Sequence, residues 1–119
     1  MSNARNIANL PNGDDAPVYA CRAWVNFDGT TNTAGYCTIR DSGNVSTVAD
    51  NGTGNYTVNF TTAMPDANFA ANWSMECSSN SSGWLCSISN YTTTSVRLIT
   101  RAYSSGNFDS PTNCVSIFR

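Results

Sequence analysis

Residues 50–69, Asp-Asn-Gly-Thr-Gly-Asn-Tyr-Thr-Val-Asn-Phe-Thr-Thr-Ala-Met-Pro-Asp-Ala-Asn-Phe, spell out a turn, a strand and a forced exit in unbroken order. Asp50, Asn51 and Gly52 tolerate positive φ, so the chain can reverse there with the twist a hairpin needs. Tyr56, Val58 and Phe60 then alternate with Thr57, Asn59 and Thr61, the period-2 pattern of a strand with one buried face. Pro65 has no N–H for a sheet ladder and pushes Met64 toward extended geometry, so Met64-Pro65-Asp66 is expected as a fixed corner before a new strand. A chain organised around this unit is committed to antiparallel β structure.

Composition agrees. Asn, Ser and Thr make up 45 of the 119 residues. Asn and Ser compete for the backbone and disfavour helix, while Thr suits strands and turns. Lys and His are absent, and six scattered arginines against a net charge of −2 supply no phosphate-neutralising patch, which argues against nucleic acid as a partner. No apolar run is long enough to span a bilayer and the first residues lack the apolar core of a secretory signal, so a soluble chain made in the cytoplasm, without membrane insertion, is expected.

Along the chain, residues 1–16 form an N-terminal segment apart from a domain over 17–119. Ser2 can cap a short helical turn that Pro11 to Asp15 stop, with Ile7 and Leu10 spaced i, i+3 to bury against symmetry mates or a neighbour. This segment is expected to be an anchor, helical or extended.

Strands are expected over 18–27, 36–41, 44–49, 55–61, 68–77, 84–89, 95–103 and 114–118, with a polar loop over 28–35. About eight strands at spacings of roughly 8 to 12 residues predict an all-β antiparallel β-sandwich or small barrel, the sandwich being preferred. Trp24, Ile99 and Tyr103 fall on faces opposite the expected core and are candidates for a subunit contact.

If successive strands alternate in direction, the loops at 28–35, 50–54, 78–83 and 104–113 share one end. The tight Ser42-Gly43 turn, the proline corner and the entering N-terminal segment share the other. This predicts a module held at its base and displaying polar loops at its tip.

Without histidine or lysine, neither Ser-His nor Cys-His pairs nor a Schiff-base lysine is available, so no catalytic residues are assigned and a non-enzymatic role is expected. Glu76 reads as solvated, and Asp28, Asp50 and Asp109 as local turn-makers. No calcium-loop or zinc spacing is present, so no metal or cofactor is expected. Of Cys21, Cys37, Cys77, Cys86 and Cys114, most are expected as small buried hydrophobes, and Cys77 with Cys86 is the one candidate bridge, across a hairpin.

The run from Tyr56 through Phe60 and Met64-Pro65-Asp66-Ala67-Asn68-Phe69 resembles a segment of bacteriophage tail-fibre and related virion proteins, with looser likeness at 20–27 and 42–48. The resemblance implies a β-rich homotrimer of the virion, serving in fibres, receptor recognition or capsid decoration.

Taken with the loop geometry, it leads to the expectation of a tail-fibre or tail-tip module that touches a host surface glycan or a neighbouring virion protein. Asn32, Tyr36, Asn80, Trp84, Asn107 and Phe108 are the candidate tip residues, since rings stack on sugar faces while amides bond hydroxyls. A capsid decoration protein clamping shell subunits is the alternative, and a secreted glycan-binding domain a remoter one.

Overall fold

The computed structural model describes residues 20–77, 83–103 and 106–119. Ile7, Leu10 and the rest of the expected anchor, together with Asn80, lie outside them. Eight strands are formed: β1 (Cys21–Thr33), β2 (Tyr36–Gly43), β3 (Val45–Asp50), β4 (Asn55–Phe60), β5 (Ala70–Met75), β6 (Trp84–Ser89), β7 (Ser95–Ala102) and β8 (Asn113–Phe118). Among the described residues there is no helix.

All pairings are antiparallel. Instead of dividing into two layers, the strands form one sheet in the order β5-β8-β1-β2-β3-β4-β7-β6. The sheet curls until its edge strands β5 and β6 approach without pairing, leaving a seam.

Alternation fills the interior. Ala23, Val25 and Phe27 of β1, Val45 and Val48 of β3, Tyr56, Val58 and Phe60 of β4, Val96 and Leu98 of β7, and Val115 and Ile117 of β8 are buried together. Each such Val, Leu, Ile or Phe contributes about 1.5–3 kcal/mol of burial free energy. Phe27 meets the Tyr56 ring edge-on at 5.2 Å, and Phe60 meets Phe69 at 5.7 Å. Met64 and Phe69, flanking the proline corner, plug the base of this core.

Four expectations need correction. The polar loop at 28–35 is largely strand: β1 continues to Thr33, and Ala34 and Gly35 alone make the turn, with φ of 55° and 90°. Polar side chains hold that extension, as the Asp28 carboxylate accepts from Thr30 and the Thr31 hydroxyl accepts the Thr38 amide.

The cysteines are mostly exposed. Only Cys37 is buried, because Cys114 shares the outward parity of Ser116 and the register slips between Cys21 and Ala23. Cys77, just past β5, and Cys86 of β6 are both free thiols, and β5 does not pair with β6, so the hairpin across which a bridge was expected is not formed. Finally, Asp109 is no local turn-maker. Its Oδ1 accepts from Gly54 N–H at 2.7 Å and from the Tyr56 hydroxyl at 2.8 Å, far along the chain.

Candidate functional site

The two ends of the curled sheet are built differently, and hydrogen bonds show which segments meet at each. At one end, the crown, Asp50 N–H donates to Gly35 O, Gly29 N–H to Ser110 O and Thr100 N–H to Gly54 O. The Ser110 hydroxyl donates to Glu76 O, so the β1–β2, β3–β4, β5–β6 and β7–β8 connections are joined there.

At the other end, the base, the described chain begins at Ala20, whose carbonyl accepts Arg119 N–H. Arg119 grips Asp66 of the proline corner through Nε at 3.0 Å and Nη2 at 2.6 Å. Asn44, at φ 56°, ties the same end by donating to Arg22 O and Thr62 O and accepting Thr62 N–H.

Of the expected tip residues, the fold brings Trp84 and Phe108 together, their ring centroids 3.8 Å apart and tilted by 58°. Trp84 opens β6 and Phe108 lies in the β7–β8 connection, so this contact closes one side of the crown. The indole N–H of Trp84 is enclosed and finds no acceptor among the described residues. Tyr103, 87% exposed, stands beside them, its N–H donating to Gly83 O. It therefore belongs with the crown rather than with Ile99, with which its sequence position grouped it. Asn107 is exposed in the same connection.

Asn32 and Tyr36 occupy the other side, on the β1–β2 hairpin. Tyr36 is 47% exposed, whereas Asn32 is spent on structure, donating to Asp50 Oδ2 at 2.9 Å and accepting Gly35 N–H at 3.0 Å. Between the two sides runs the β3–β4 turn. Gly54 there has φ of 64° and lies so close to Thr100 Oγ1 and the Phe108 backbone that any Cβ would collide. Only glycine lets this turn lock the aromatic side of the crown to the hairpin side.

The crown is thus a braced ridge of separated rings, Tyr36 on one side and Tyr103, Trp84 and Phe108 on the other. Its electrostatics are mildly acidic and fixed. The hydrogen bond from Thr30 holds the Asp28 carboxyl below its ordinary range, with Arg40, 3.4 Å away, adding to the effect. Burial, and then the bond to Asp109, push the Tyr56 phenol far up, so that hydroxyl stays a donor. Such a surface offers ring faces, amides and hydroxyls.

Away from the crown, the outer faces of the strands carry residues that the sequence placed at a contact. Trp24 is 42% exposed on β1. Ile99 is half-buried beside Leu85, 59% exposed, and with Cys86, Ser87 and Arg101 these line a shallow depression of about 240 Å³ across β6 and β7. Leu85 was missed from sequence because its strand was aligned on Trp84, Cys86 and Ile88; pairing of Leu85 with the outward Arg101 reveals its side.

Comparison of the chain with protein-family models, with curated proteins and with solved structures finds no match.

Proposed function

We propose that this chain is a structural module of a bacteriophage virion, a tail-fibre or tail-tip domain. It acts as a homotrimer that is held at its base and meets a host surface glycan or a neighbouring virion protein with its crown. The observation that carries this reading is the polarity of the fold. The described chain starts at Ala20 beside Arg119 and the proline corner, while Tyr36, Tyr103, Trp84 and Phe108 gather at the far end. The likeness of residues 56–69 to virion segments supports the same assignment.

The role is one of adhesion, not turnover. The chain has no histidine or lysine, and its crown aspartates are engaged as acceptors of structural hydrogen bonds. Rings that are fixed before binding lose little conformational entropy on contact, which suits recognition of sugars or of a flat protein surface.

A density map of the particle that carries this chain tests the reading. The base is expected against the particle and the crown outward, in a few dozen copies or fewer, and the purified protein should adhere to host cells less when Tyr36 and Phe108 are both replaced by alanine. Hundreds of copies spread over the head would instead assign the chain to shell decoration, with the Leu85–Ile99 face as the clamp. A crown packed inward would overturn the adhesive role.

A further inference from the structure

On the outer face of the β5-β8-β1 edge lies a groove of about 480 Å³, lined by Trp24, Asn26, Asn72, Ser74, Cys114 and Ser116 together with the backbone beneath them. Register explains why these residues meet. Trp24 pairs with Ser116 and Ser116 with Asn72, making one rung across three strands, while Asn26, Cys114 and Ser74 make another. Rungs two residues apart are about 7 Å from one another and strands about 4.8 Å apart, so the patch spans roughly 7 by 10 Å, the footprint of one or two sugar rings.

The Trp24 indole forms one wall. It can lie low over its neighbour strand because its cross-strand partner is Gly43, where a Cβ would collide with the indole. The Asn26 carbonyl oxygen already accepts from Arg40 at 3.2 Å, which leaves its NH2 as the group available for a ligand. Among the described residues no group carrying a formal charge lines the groove itself, Arg40 standing at its rim, 3.2 Å from Asn26 Oδ1.

From this juxtaposition of a half-exposed ring with two amides and two hydroxyls on a charge-free floor, we infer that the groove is a binding site for a neutral saccharide, separate from the crown. The indole supplies the stacking face for the apolar side of a pyranose. Asn26, Asn72, Ser74 and Ser116 supply donors and acceptors for its hydroxyls. Arg40, at the rim beside Asn26, is already paired with Asp28 at 3.4 Å and bonded to Pro111 O, so little free charge is offered to an ionic ligand, and Trp24 lies low over Gly43 rather than projecting as a protein-contact anchor would. Trp24 thereby leaves the subunit contact in which the sequence placed it.

Cys114 sits in the floor, so the full-length protein reports on the site without any substitution. Peptide-level measurement of iodoacetamide alkylation would follow Cys114 with Cys86, across the seam, as the internal standard. The probes are maltotriose, cellotriose, chitotriose and galactobiose at millimolar concentration.

At least one is expected to slow Cys114 alkylation about fivefold or more while leaving Cys86 unchanged. Trp24→Ala should remove that protection with Cys37 still shielded and the oligomeric mass unaltered, whereas Phe108→Ala at the crown should keep it. Absence of protection by all four sugars, protection surviving Trp24→Ala, or a loss of oligomeric mass in that variant would each overturn the assignment. Adhesion through the crown is read separately, in the Tyr36 and Phe108 variants.

Discussion

Tyr56 is the residue on which core and crown both depend. Its ring is fully buried against Phe27, yet its hydroxyl reaches Asp109 at 2.8 Å and Gly29 O at 3.2 Å. Alternation marks Tyr56 as inward in the sequence, but nothing there pairs it with an aspartate 53 residues on. Removing only the hydroxyl, Tyr56→Phe, leaves the packing intact and should cost about 1 kcal/mol. Asp109→Ala strands Gly54 N–H and leaves Tyr56 OH only the 3.2 Å bond to Gly29 O, and should cost about 2 kcal/mol, the two losses being less than additive in the double variant because they share one bond. Urea denaturation of the three variants measures both values and their coupling. The cysteines give a second residue-scale test. Burial raises the Cys37 thiol to about 12, so it is both shielded and protonated at neutral pH. Ellman's reagent should therefore find Cys21, Cys77 and Cys114 reactive in the native protein, with Cys86 joining them where the β6–β7 flank is uncovered, and all five thiols after denaturation without reductant. Three in the denatured state, or a reactive Cys37 in the native one, would contradict the assignment.

The β1–β2 hairpin and the proline corner show how much an element owes to a single position. Thr33 pairs with Tyr36 across a two-residue turn whose central residues both have positive φ, and Ala34 at 55° pays a steric cost that Asn or Gly would not. Ala34→Asn should thus stabilise the protein by roughly 0.5–1 kcal/mol, seen as a higher midpoint in urea; a destabilisation would mean the turn is not of the I′ class. At the corner, Asp66 accepts from Arg119 and from Asn68 N–H at 2.8 Å, and the Arg119 bond foremost lowers its carboxyl to about 2 from the ordinary 3.8. A carboxyl depressed in the folded state adds stability that is whole above pH 4 and fades as the pH falls from 4 through 2. Thermal midpoints measured from pH 6 to pH 2 should fall less steeply for Asp66→Asn than for the parent, although the group's exposure keeps the difference small. Both elements were visible in the sequence to different degrees. Pro65 announces its corner through chemistry that no context reverses, and the strands 55–60 and 95–102 announce themselves by alternation. The extension of β1 to Thr33 was hidden because Asp28, Thr30, Thr31 and Asn32 read as loop, and what holds them in a strand is cross-strand bonding such as Thr38 N–H to Thr31 Oγ1. The flank groove was hidden for a similar reason: Trp24, Ser116 and Asn72 are far apart in the chain, and only the order β5-β8-β1 sets them on one rung.

For the whole molecule, a curled sheet with a seam has two kinds of outer surface, polar and apolar, and their placement decides how copies associate. The flank across β6 and β7 exposes Leu85 and Ile99 side by side, flanked by Cys86 and the stem of Arg101. An exposed apolar pair of this kind lowers its free energy by being covered. A cyclic trimer covers it with a different patch of the next copy, because a ring that is not two-fold requires a heterologous contact. The proposed trimer therefore predicts a light-scattering mass near three times the 12.8 kDa of the chain at micromolar concentration. Leu85→Glu places an uncompensated charge at the centre of that contact while touching nothing in the core, so it should lower the mass to that of one chain and leave the spectrum of the folded sheet unchanged. A parent protein that already scatters as 12.8 kDa would remove the trimer from the reading. A Leu85→Glu variant that stays trimeric would move the contact away from β6 and β7, most simply to the Trp24 face, and would then count against the saccharide groove as well. The same pair of measurements thus decides which flank faces a neighbouring copy and which is left free to meet a ligand.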